Sequence, residues 1–211
     1  MKYYEYYWTA MKPHCEITHA KKDAFTLLKG KKVLDVGCGD GEHYGKALAK
    51  ECQLYGIDIS NEAVSIARKN GMDATVGEAD NLPFGDGEFD AVLFIDVLEH
   101  LFNPEGALHE ANRVLKNNGF IIVSLPNAAY IRERLSFLFG DFNPRGSPHT
   151  SFDSPWADPH IRFFTKKTVM ALLQKTGFKV RVFIGEAGIP ILSHFFPSLF
   201  ASDFLIIAEK Q

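Results

Sequence analysis

Short apolar segments alternate with helix-like segments from Val33 to Ser124, and this alternation limits the folds that are open to the chain. Five of these apolar segments have the length of strands: 33–36, 54–58, 74–76, 90–95 and 120–124. Strands that are separated by helices pair in parallel, with helices on both faces of the sheet. Two later strands, at 178–184 and 204–208, are joined by a long connection that allows an antiparallel pair. We therefore predict an α/β sandwich.

Capping residues mark where the helices begin. Ser60 can cap a helix that runs through Asn70, and Asn103 with Pro104 begins a helix that we expect Gly119 to end. Further helices are predicted directly after Gly41, over 127–139 and from Thr165. The segment 140–159 is rich in Gly, Pro, Ser, Asp and Asn, which is typical of a lid or a binding loop.

Composition excludes several classes of protein. The chain has 211 residues, which indicates one domain, and its net charge of −3 makes nucleic acid an unfavourable partner. Three cysteines without a CxxC pair favour a reduced, cytoplasmic location. We expect no signal peptide and no transmembrane segment, because prolines interrupt the longest apolar stretch, 188–201. A monomer or a homodimer is expected, with peripheral membrane contact as an open alternative.

A glycine-rich loop follows the first predicted strand. It reads Asp35-Val36-Gly37-Cys38-Gly39-Asp40-Gly41. Glycines at such a turn let the backbone approach a ligand closely, and amides at the start of a helix can bind an anionic or polar group. The loop alone is a weak signal, because a tight connection between a strand and a helix can have the same sequence.

Polar residues also follow the next three strands. Asp58 ends the second strand, where a carboxylate can accept hydrogen bonds from ribose hydroxyls. The segment 77–84 follows the third strand, and Ile95-Asp96-Val97 follows the fourth. The carboxyl ends of parallel strands meet at one edge of a sheet. We therefore predict a site there for a nucleotide-like cofactor.

In combination, segments 33–41, 56–60, 78–84 and 89–92 resemble the successive motifs of class I S-adenosylmethionine (SAM)-dependent methyltransferases. The resemblance covers about residues 30–125. It implies a Rossmann-like, three-layer sandwich whose seven-stranded sheet is mostly parallel with the last strand antiparallel. It also implies SAM as cofactor and S-adenosylhomocysteine (SAH) as product. The cofactor residues expected from it and from the strand ends are Asp35, Gly37, Cys38, Gly39, Gly41, Asp58, Ile59, Glu78, Ala79, Asp80, Asn81, Leu82, Ile95, Asp96 and Val97.

A narrower resemblance concerns the acceptor side. Segments 124–127, 132–135, 140–142 and 159–165 are similar to methionine-biosynthesis protein W and to methyltransferases associated with glycan assembly. The resulting division is a cofactor lid at 1–32, a cofactor-binding core at 33–125, a substrate-side insertion at 126–165 and a C-terminal helix with a strand pair at 166–211. The acceptor would be a small molecule or a lipid- or glycan-linked group, methylated at oxygen.

The turn after the fourth strand, Asp96-Val97-Leu98-Glu99-His100, has two interpretations. Glu99, His100 and the distant His160 are candidate catalytic residues, because a base is needed if the acceptor must lose a proton. Alternatively, Asp96, Glu99 and His100, completed by His160 or His149, could hold a divalent metal, since acid-x-x-Glu-His resembles the metal-binding turn of small-RNA and ubiquinone-pathway O-methyltransferases. Spacing alone fixes no geometry, so we assign no metal ligand from the sequence.

Other features keep two interpretations. Arg132, Arg134 and Arg162 could bind an anionic acceptor or form structural contacts. The aromatic residues among the first eight could cover the cofactor or pack on a helix, and the apolar segment 189–200 could line an acceptor pocket or fill the core.

Three functions compete at this stage. The first is methyl transfer from SAM, and the second is a SAM-binding regulatory or partner protein in methionine biosynthesis with little catalysis of its own. The third, a nicotinamide-dependent dehydrogenase, is disfavoured because Glu42 stands where the dinucleotide fingerprint requires glycine or alanine.

Overall fold

The described residues, 17–140 and 160–211 of a computed structural model, build one seven-stranded sheet. Its strands are β1 (Lys32–Val36), β2 (Gln53–Asp58), β3 (Asp73–Val76), β4 (Phe89–Ile95), β5 (Leu115–Pro126), β6 (Phe178–Glu186) and β7 (Asp203–Lys210). Their order is β3-β2-β1-β4-β5-β7-β6, and only β7 pairs antiparallel with its neighbours. The predicted seven-stranded, mostly parallel sheet is confirmed.

Eight helices and two 3-10 turns connect the strands in the described part of the chain. The helices are α1 (His19–Phe25), α2 (Gly45–Leu48), α3 (Asn61–Lys69), α4 (Pro104–Val114), α5 (Ile131–Leu138), α6 (Lys166–Lys175), α7 (Pro190–Phe195) and α8 (Pro197–Phe200). The 3-10 turns are Thr26–Leu28 and Leu98–His100. Ser60, Asn103 and Thr165 cap α3, α4 and α6 as predicted, each accepting a backbone N–H. Among these described helices, none combines the length and apolar character needed to cross a membrane.

Helices cover both faces of the sheet, so the predicted three layers are present. On one face, α4 and α6 bury their apolar stripes against strand residues such as Leu34 and Phe94. On the other face, α1, α2 and α3 pack on residues such as Val33 and Leu93. Alternate residues of β1 and β4 thus feed opposite cores, as the period of two along a strand requires.

The sheet reverses its order between β1 and β4, and the two strands end side by side. Val36 pairs with Ile57 of β2 and with Phe94 of β4, so three parallel strands terminate at one level. Ligands of open α/β sheets bind outside the carboxyl ends of the strands at this kind of reversal. The architecture therefore places the predicted cofactor segments together.

Three predicted boundaries are wrong. α2 begins at Gly45, since Gly41–Tyr44 form turns, so the glycine loop does not run directly into a helix. α5 begins at Ile131 and not at residue 127, because Asn127 donates its side-chain N–H to the carbonyls of Ala201 and Ser198 and holds the chain in a turn. Gly119 lies inside β5, since α4 ends at Val114 and the next strand starts at once.

Candidate cofactor and acceptor site

The glycine loop closes over the end of β2. Gly37 and Cys38 donate their backbone N–H groups to the carbonyl of Ile57, at 2.7 and 3.1 Å. Gly37, Gly39 and Gly41 all have positive φ angles, between 55° and 73°, which only glycine adopts easily. At Gly37 a Cβ would lie 2.5 Å from Cγ2 of Val97, so the loop and the end of β4 touch without room for a side chain.

Asp35 lies beneath this loop and has no solvent exposure. The Tyr44 hydroxyl donates to its Oδ1 at 3.1 Å, and Oδ2 has no hydrogen-bond partner among the described residues. Burial raises the pKa of Asp35 to about 8, with the Tyr44 hydrogen bond opposing the shift. Asp35 thus lies buried beneath the loop with one oxygen that no described residue hydrogen-bonds.

Asp58 joins the loop to α3. Its Oδ2 accepts from the Gly39 amide at 3.0 Å, and its Oδ1 accepts from the Ser60 amide at 2.9 Å. Each carboxylate oxygen has two lone pairs and can accept more than one hydrogen bond. Asp58 therefore fixes the loop and remains suited to bind a ribose, and Ile59 beside it is half-buried.

Cys38 fills the space under the loop. Its thiol is buried, and burial, followed by the charges of Asp35 and Asp58, raises its pKa far above the usual value. A Cβ on Gly56 would lie 2.6 Å from the Cys38 sulfur, so Gly56 makes room for that side chain. Cys38 is a packing residue and not a nucleophile.

The segment after β3 forms the next wall of the site. Gly77 donates to the Asp58 carbonyl at 3.0 Å, and Asn81 donates to the Glu78 carbonyl at 3.2 Å. The side chains of Glu78, Asp80 and Asn81 are exposed, Ala79 is half-buried and Leu82 is buried. Glu78 thus follows Gly77, which is hydrogen-bonded to Asp58, and its exposed side chain is open to a ligand.

Helix α4 fixes this wall from behind. Glu110 accepts from the Leu82 amide at 2.9 Å, and Arg113 donates to the carbonyls of Leu82 and Phe84. Arg113 also pairs with Glu110 at 2.7 Å, and this contact is the main cause that lowers the pKa of Glu110. Sequence reasoning missed both residues, since polar residues on an amphipathic helix usually face solvent.

The end of β4 holds the fourth predicted cofactor segment. Ile95 and Val97 are buried, and between them Asp96 has φ +56°. The Asp96 carboxylate accepts from the Ser124 hydroxyl at 2.7 Å and pairs with the Lys21 ammonium at 3.0 Å. Lys21 is a further residue that was missed. Its place on the same stripe as Ala24 of α1 and Leu28 of the 3-10 turn that follows was a usable signal, because a lysine on an apolar stripe needs a partner.

Glu99, His100 and His160 meet beside this strand end. The rings of His100 and His160 stack with centroids 4.8 Å apart, and Nε2 of His160 lies 4.0 Å from Oε1 of Glu99. The backbone builds this arrangement, because Ile161 and Arg162 both donate to the Glu99 carbonyl at 3.0 Å. The three predicted catalytic residues are thus brought together although 60 positions separate His100 from His160.

Glu99 is electrostatically unusual. Its side chain is 2% exposed, and neither carboxylate oxygen has a hydrogen-bond partner among the described residues. Burial, followed by the nearby charge of Asp96, raises its pKa well above the ordinary value. Glu186, which accepts from the Thr18 hydroxyl, also has a pKa raised by burial. The edge of the sheet where the parallel strands end therefore has several carboxyl groups around Lys21.

A cleft adjoins the histidines on the acceptor side. It is lined by Pro126, Ala128, Glu133, His160, Arg162, Phe163 and Phe164. Arg162 donates to the Phe102 carbonyl at 2.6 Å and Arg134 to the Ala129 carbonyl at 2.7 Å, so both have a structural contact, while Arg132 is exposed. The predicted roles of the N-terminal aromatics, of His149 and of the loop 141–159 lie outside the described residues.

Large apolar side chains are exposed around the same edge. Several lie on and after α5 and on α7, and Phe102 and Phe163 lie next to the cleft. They are Leu135, Phe137, Leu138, Phe139, Ile191, Leu192, Phe195 and Phe196. The exposed surface around the cleft is therefore apolar, whereas carboxyl groups are concentrated at the strand ends near Lys21.

The geometry agrees with a family comparison that covers the sheet's parallel part. Residues 34–123 match the family model described as a methyltransferase domain. The fold is the one seen in solved structures of SAM-dependent methyltransferases. The matched range contains every predicted cofactor residue and two of the three predicted catalytic residues, Glu99 and His100.

Individual relatives extend this picture. A tRNA (carboxymethyluridine(34)-5-O)-methyltransferase of Arabidopsis thaliana is 34% identical over 59% of this chain and 32% of its own length. A ubiquinone biosynthesis O-methyltransferase of Alkalilimnicola ehrlichii is 34% identical over 53% of this chain and 47% of its own length. The chain spans 32 to 63% of the length of the first curated relatives it matches.

The solved structures agree in fold. A SAM-dependent methyltransferase from Thermotoga maritima, described as a possible histamine N-methyltransferase, is 24% identical and has a TM-score of 0.64. The match covers 90% of this chain and 87% of that chain. The similarity in fold therefore extends well beyond residues 34–123.

Proposed function

We propose that the chain transfers a methyl group from SAM to an oxygen of a small or lipid- or glycan-linked acceptor. The observation that carries the proposal is the meeting of the glycine loop, Asp58 and the Glu99–His100–His160 group at one edge of the sheet. The first two would hold the cofactor, and the third would face the acceptor. Val97 packs against Gly37 of the glycine loop and lies two residues before Glu99. It therefore links the cofactor residues to the group of Glu99, His100 and His160.

The cofactor would bind across four strand ends. The loop 35–41 would hold its amino-acid part, Asp58 its ribose, and the segment 78–82 with Ile59 its adenine. Ile95, Asp96 and Val97 would bound the methyl group. Asp35, with one oxygen that no described residue hydrogen-bonds, would accept a hydrogen bond from the cofactor's ammonium group.

Methyl transfer is a displacement at carbon. A lone pair of the acceptor oxygen forms the new bond to the methyl carbon, and the carbon–sulfur bond breaks with its electrons going to sulfur, which leaves neutral SAH. The acceptor hydroxyl must lose its proton, and His100 or His160 would take it, with Glu99 stabilising the imidazolium that forms. Alignment and exclusion of water would supply the rest of the rate.

Oxygen as the acceptor atom is supported by two kinds of relative, since ubiquinone biosynthesis and carboxymethyluridine O-methyltransferases both match. The exposed apolar side chains beside the cleft favour an apolar or lipid-linked acceptor. The division into lid, core, insertion and C-terminal part, and the cytoplasmic location, belong to this proposal as well.

Calorimetric titration with SAH tests the cofactor part. We expect micromolar affinity, and a loss of at least tenfold in Asp58→Ala, because the loop anchor and the ribose acceptor are both removed. Asp73→Ala, an exposed aspartate at the start of β3, is the matched control and should bind as the wild type does. Absence of SAH binding by the wild type at high micromolar concentration would reject the proposal.

Turnover tests the transfer part. SAH formation should be followed with a short-chain polyprenyl catechol, with and without its hydroxyls methylated beforehand. Hydroxyl-dependent SAH formation supports the proposal. Tight SAH binding with no turnover on hydroxyl acceptors favours the alternative, a SAM-binding partner protein in methionine biosynthesis, which rests on the resemblance to methionine-biosynthesis protein W.

A further inference from the structure

The backbone of Asp96 has a conformation that residues other than glycine rarely adopt without support. Its φ is +56°, in the left-handed region, and it lies between the end of β4 and the 3-10 turn Leu98–His100. Such conformations persist where the surrounding structure holds them, and they are concentrated at functional sites. Because the neighbouring Ile95 and Val97 belong to the predicted cofactor site, the contacts that hold Asp96 bear on that site.

Two elements hold Asp96 in this conformation. Its backbone N–H donates to the carbonyl of Ser124 on β5 at 2.9 Å, and the Ser124 hydroxyl donates to its Oδ1 at 2.7 Å. The ammonium of Lys21, on α1, donates to its Oδ2 at 3.0 Å. Ser124 is fixed by the pairing of β4 with β5, whereas Lys21 comes from a helix 75 positions earlier in the chain. The Lys21 contact is therefore the one that couples a separate element to this turn.

A lysine is a costly residue at position 21, because only 6% of its side chain is exposed. Ala24 and Leu28 lie on the same stripe, and an apolar residue at position 21 would pack there without desolvating a charge. Replacing a buried ion pair by apolar residues is often neutral or stabilising, so such a pair is weak evidence for a role in stability alone. The buried charge of Lys21 therefore indicates a function at the strand ends.

Val97 connects this anchor to the glycine loop. It follows Asp96 directly, and a Cβ at Gly37 would lie 2.5 Å from its Cγ2 and 3.0 Å from its Cγ1. Asp96 and Val97 share a rigid peptide unit, so a rotation of Asp96 out of its positive φ would move Val97 relative to Gly37. The contacts thus run from Lys21 through Asp96 and Val97 to the loop.

We propose that Lys21 is a positioning residue for the methyl donor: its ammonium holds Asp96 in the left-handed conformation that sets Val97 against the glycine loop. The inference rests on the proposed function, since it requires that the cofactor binds at this loop. Lys21 acts through Asp96 and need not touch the cofactor. Its substitution should therefore weaken cofactor binding only as long as the Asp96 backbone needs support.

Calorimetric titration of the full chain with SAH measures this dependence. Lys21→Met keeps an unbranched side chain and removes the charge, and we expect it to weaken SAH affinity at least fivefold. Lys21→Arg keeps the charge and should stay within threefold of the wild type. Lys22→Met, at the exposed neighbouring position on α1, is the matched control and should bind as the wild type does.

An Asp96→Gly background separates positioning from a general structural role. Glycine adopts a positive φ without support, so Lys21→Met should change SAH affinity less than twofold in that background. If Lys21 served only to anchor α1, the loss would be the same in both backgrounds, because the two substitutions would then act independently.

Far-ultraviolet circular dichroism shows whether each variant is folded, and Lys21→Gln replaces Lys21→Met if the latter does not fold. Three results overturn the inference: wild-type affinity in Lys21→Met, an equal loss in both backgrounds, or a Lys21→Arg variant that binds no better than Lys21→Met. Absence of SAH binding by the wild-type chain rejects the proposed function and the inference with it, so the two failures are distinguishable.

Discussion

Substitution of Gly37 tests whether its close contact with Val97 matters for cofactor binding beyond the strain of a positive φ. Gly37→Ala places a methyl group about where Val97 already lies, in addition to the cost of a positive φ, so we expect SAH affinity to fall at least tenfold. Calorimetric titration measures it. Gly30→Ala is the matched control, because Gly30 has a similar φ of +69° and no heavy atom within 4 Å of the added group. Equal losses in both variants would contradict the proposed close contact.

Asp35 makes stability depend on pH. Its folded pKa of about 8 lies above the unfolded value of about 3.9, so between these pH values only the folded state carries the proton, and wild-type stability falls as pH rises. Asp35→Asn removes this slope. The free energy of unfolding, measured in urea at pH 5 and at pH 8, should decrease with pH less in the variant than in the wild type. The two decreases should differ by about 2 to 5 kcal/mol. An exposed control, Asp73→Asn, should keep the wild-type slope, and an unchanged slope in Asp35→Asn would be the contrary result.

Among individual residues, the sequence identifies those that belong to a local motif. It misses those whose role depends on a contact with a distant part of the chain. Asp35, Asp58 and the three glycines lie at or directly after the ends of strands in a recognisable spacing, and the structure brings them together. Tyr44, Ser124 and Glu110 make the contacts that hold these residues. No local pattern predicts them, because their partners lie on other elements.

Helix α1 is an element whose anchoring can be tested as a unit. Thr18 at its cap donates to Glu186, and Lys21, with a side chain 6% exposed, pairs with Asp96. Lys21→Ala leaves Asp96 without its cation, but Asp96 is one-third exposed, so we expect a loss of about 1 to 3 kcal/mol and not the full cost of a buried pair. Hydrogen exchange of the α1 amides should accelerate, while that of β4 should change little.

Lys22→Ala is the control for this prediction, because Lys22 neighbours Lys21 on α1 and is exposed. If hydrogen exchange of the α1 amides is the same in the two variants, the ion pair does not anchor the helix.

At the element scale, the sequence predicts the strands well because each is a short apolar run between turn residues. The start of α5 was not, because the side chain of Asn127 binds carbonyls more than 70 positions away and keeps the preceding turn out of the helix.

The whole molecule offers the broadest test, because a bound cofactor would connect the ends of β1, β2, β3 and β4 and should stabilise the fold as one unit. At a ligand concentration of about 100 times Kd, binding to the folded state alone adds about 2.7 kcal/mol. For a chain of this length that corresponds to a rise in Tm of about 5 to 10 °C. SAH should therefore raise Tm in proportion to the logarithm of its concentration.

NADH at the same concentrations is the control ligand, since Glu42 interrupts the dinucleotide fingerprint, and it should leave Tm unchanged. In Asp58→Ala, the SAH curve should shift to at least tenfold higher concentration. A stabilisation by SAH that survives this substitution unaltered would mean that the ligand binds away from the strand ends. Because the sheet reverses its order only once in its parallel part, between β1 and β4, such a result would separate the cofactor from the one edge where the fold brings the glycine loop and Asp58 together.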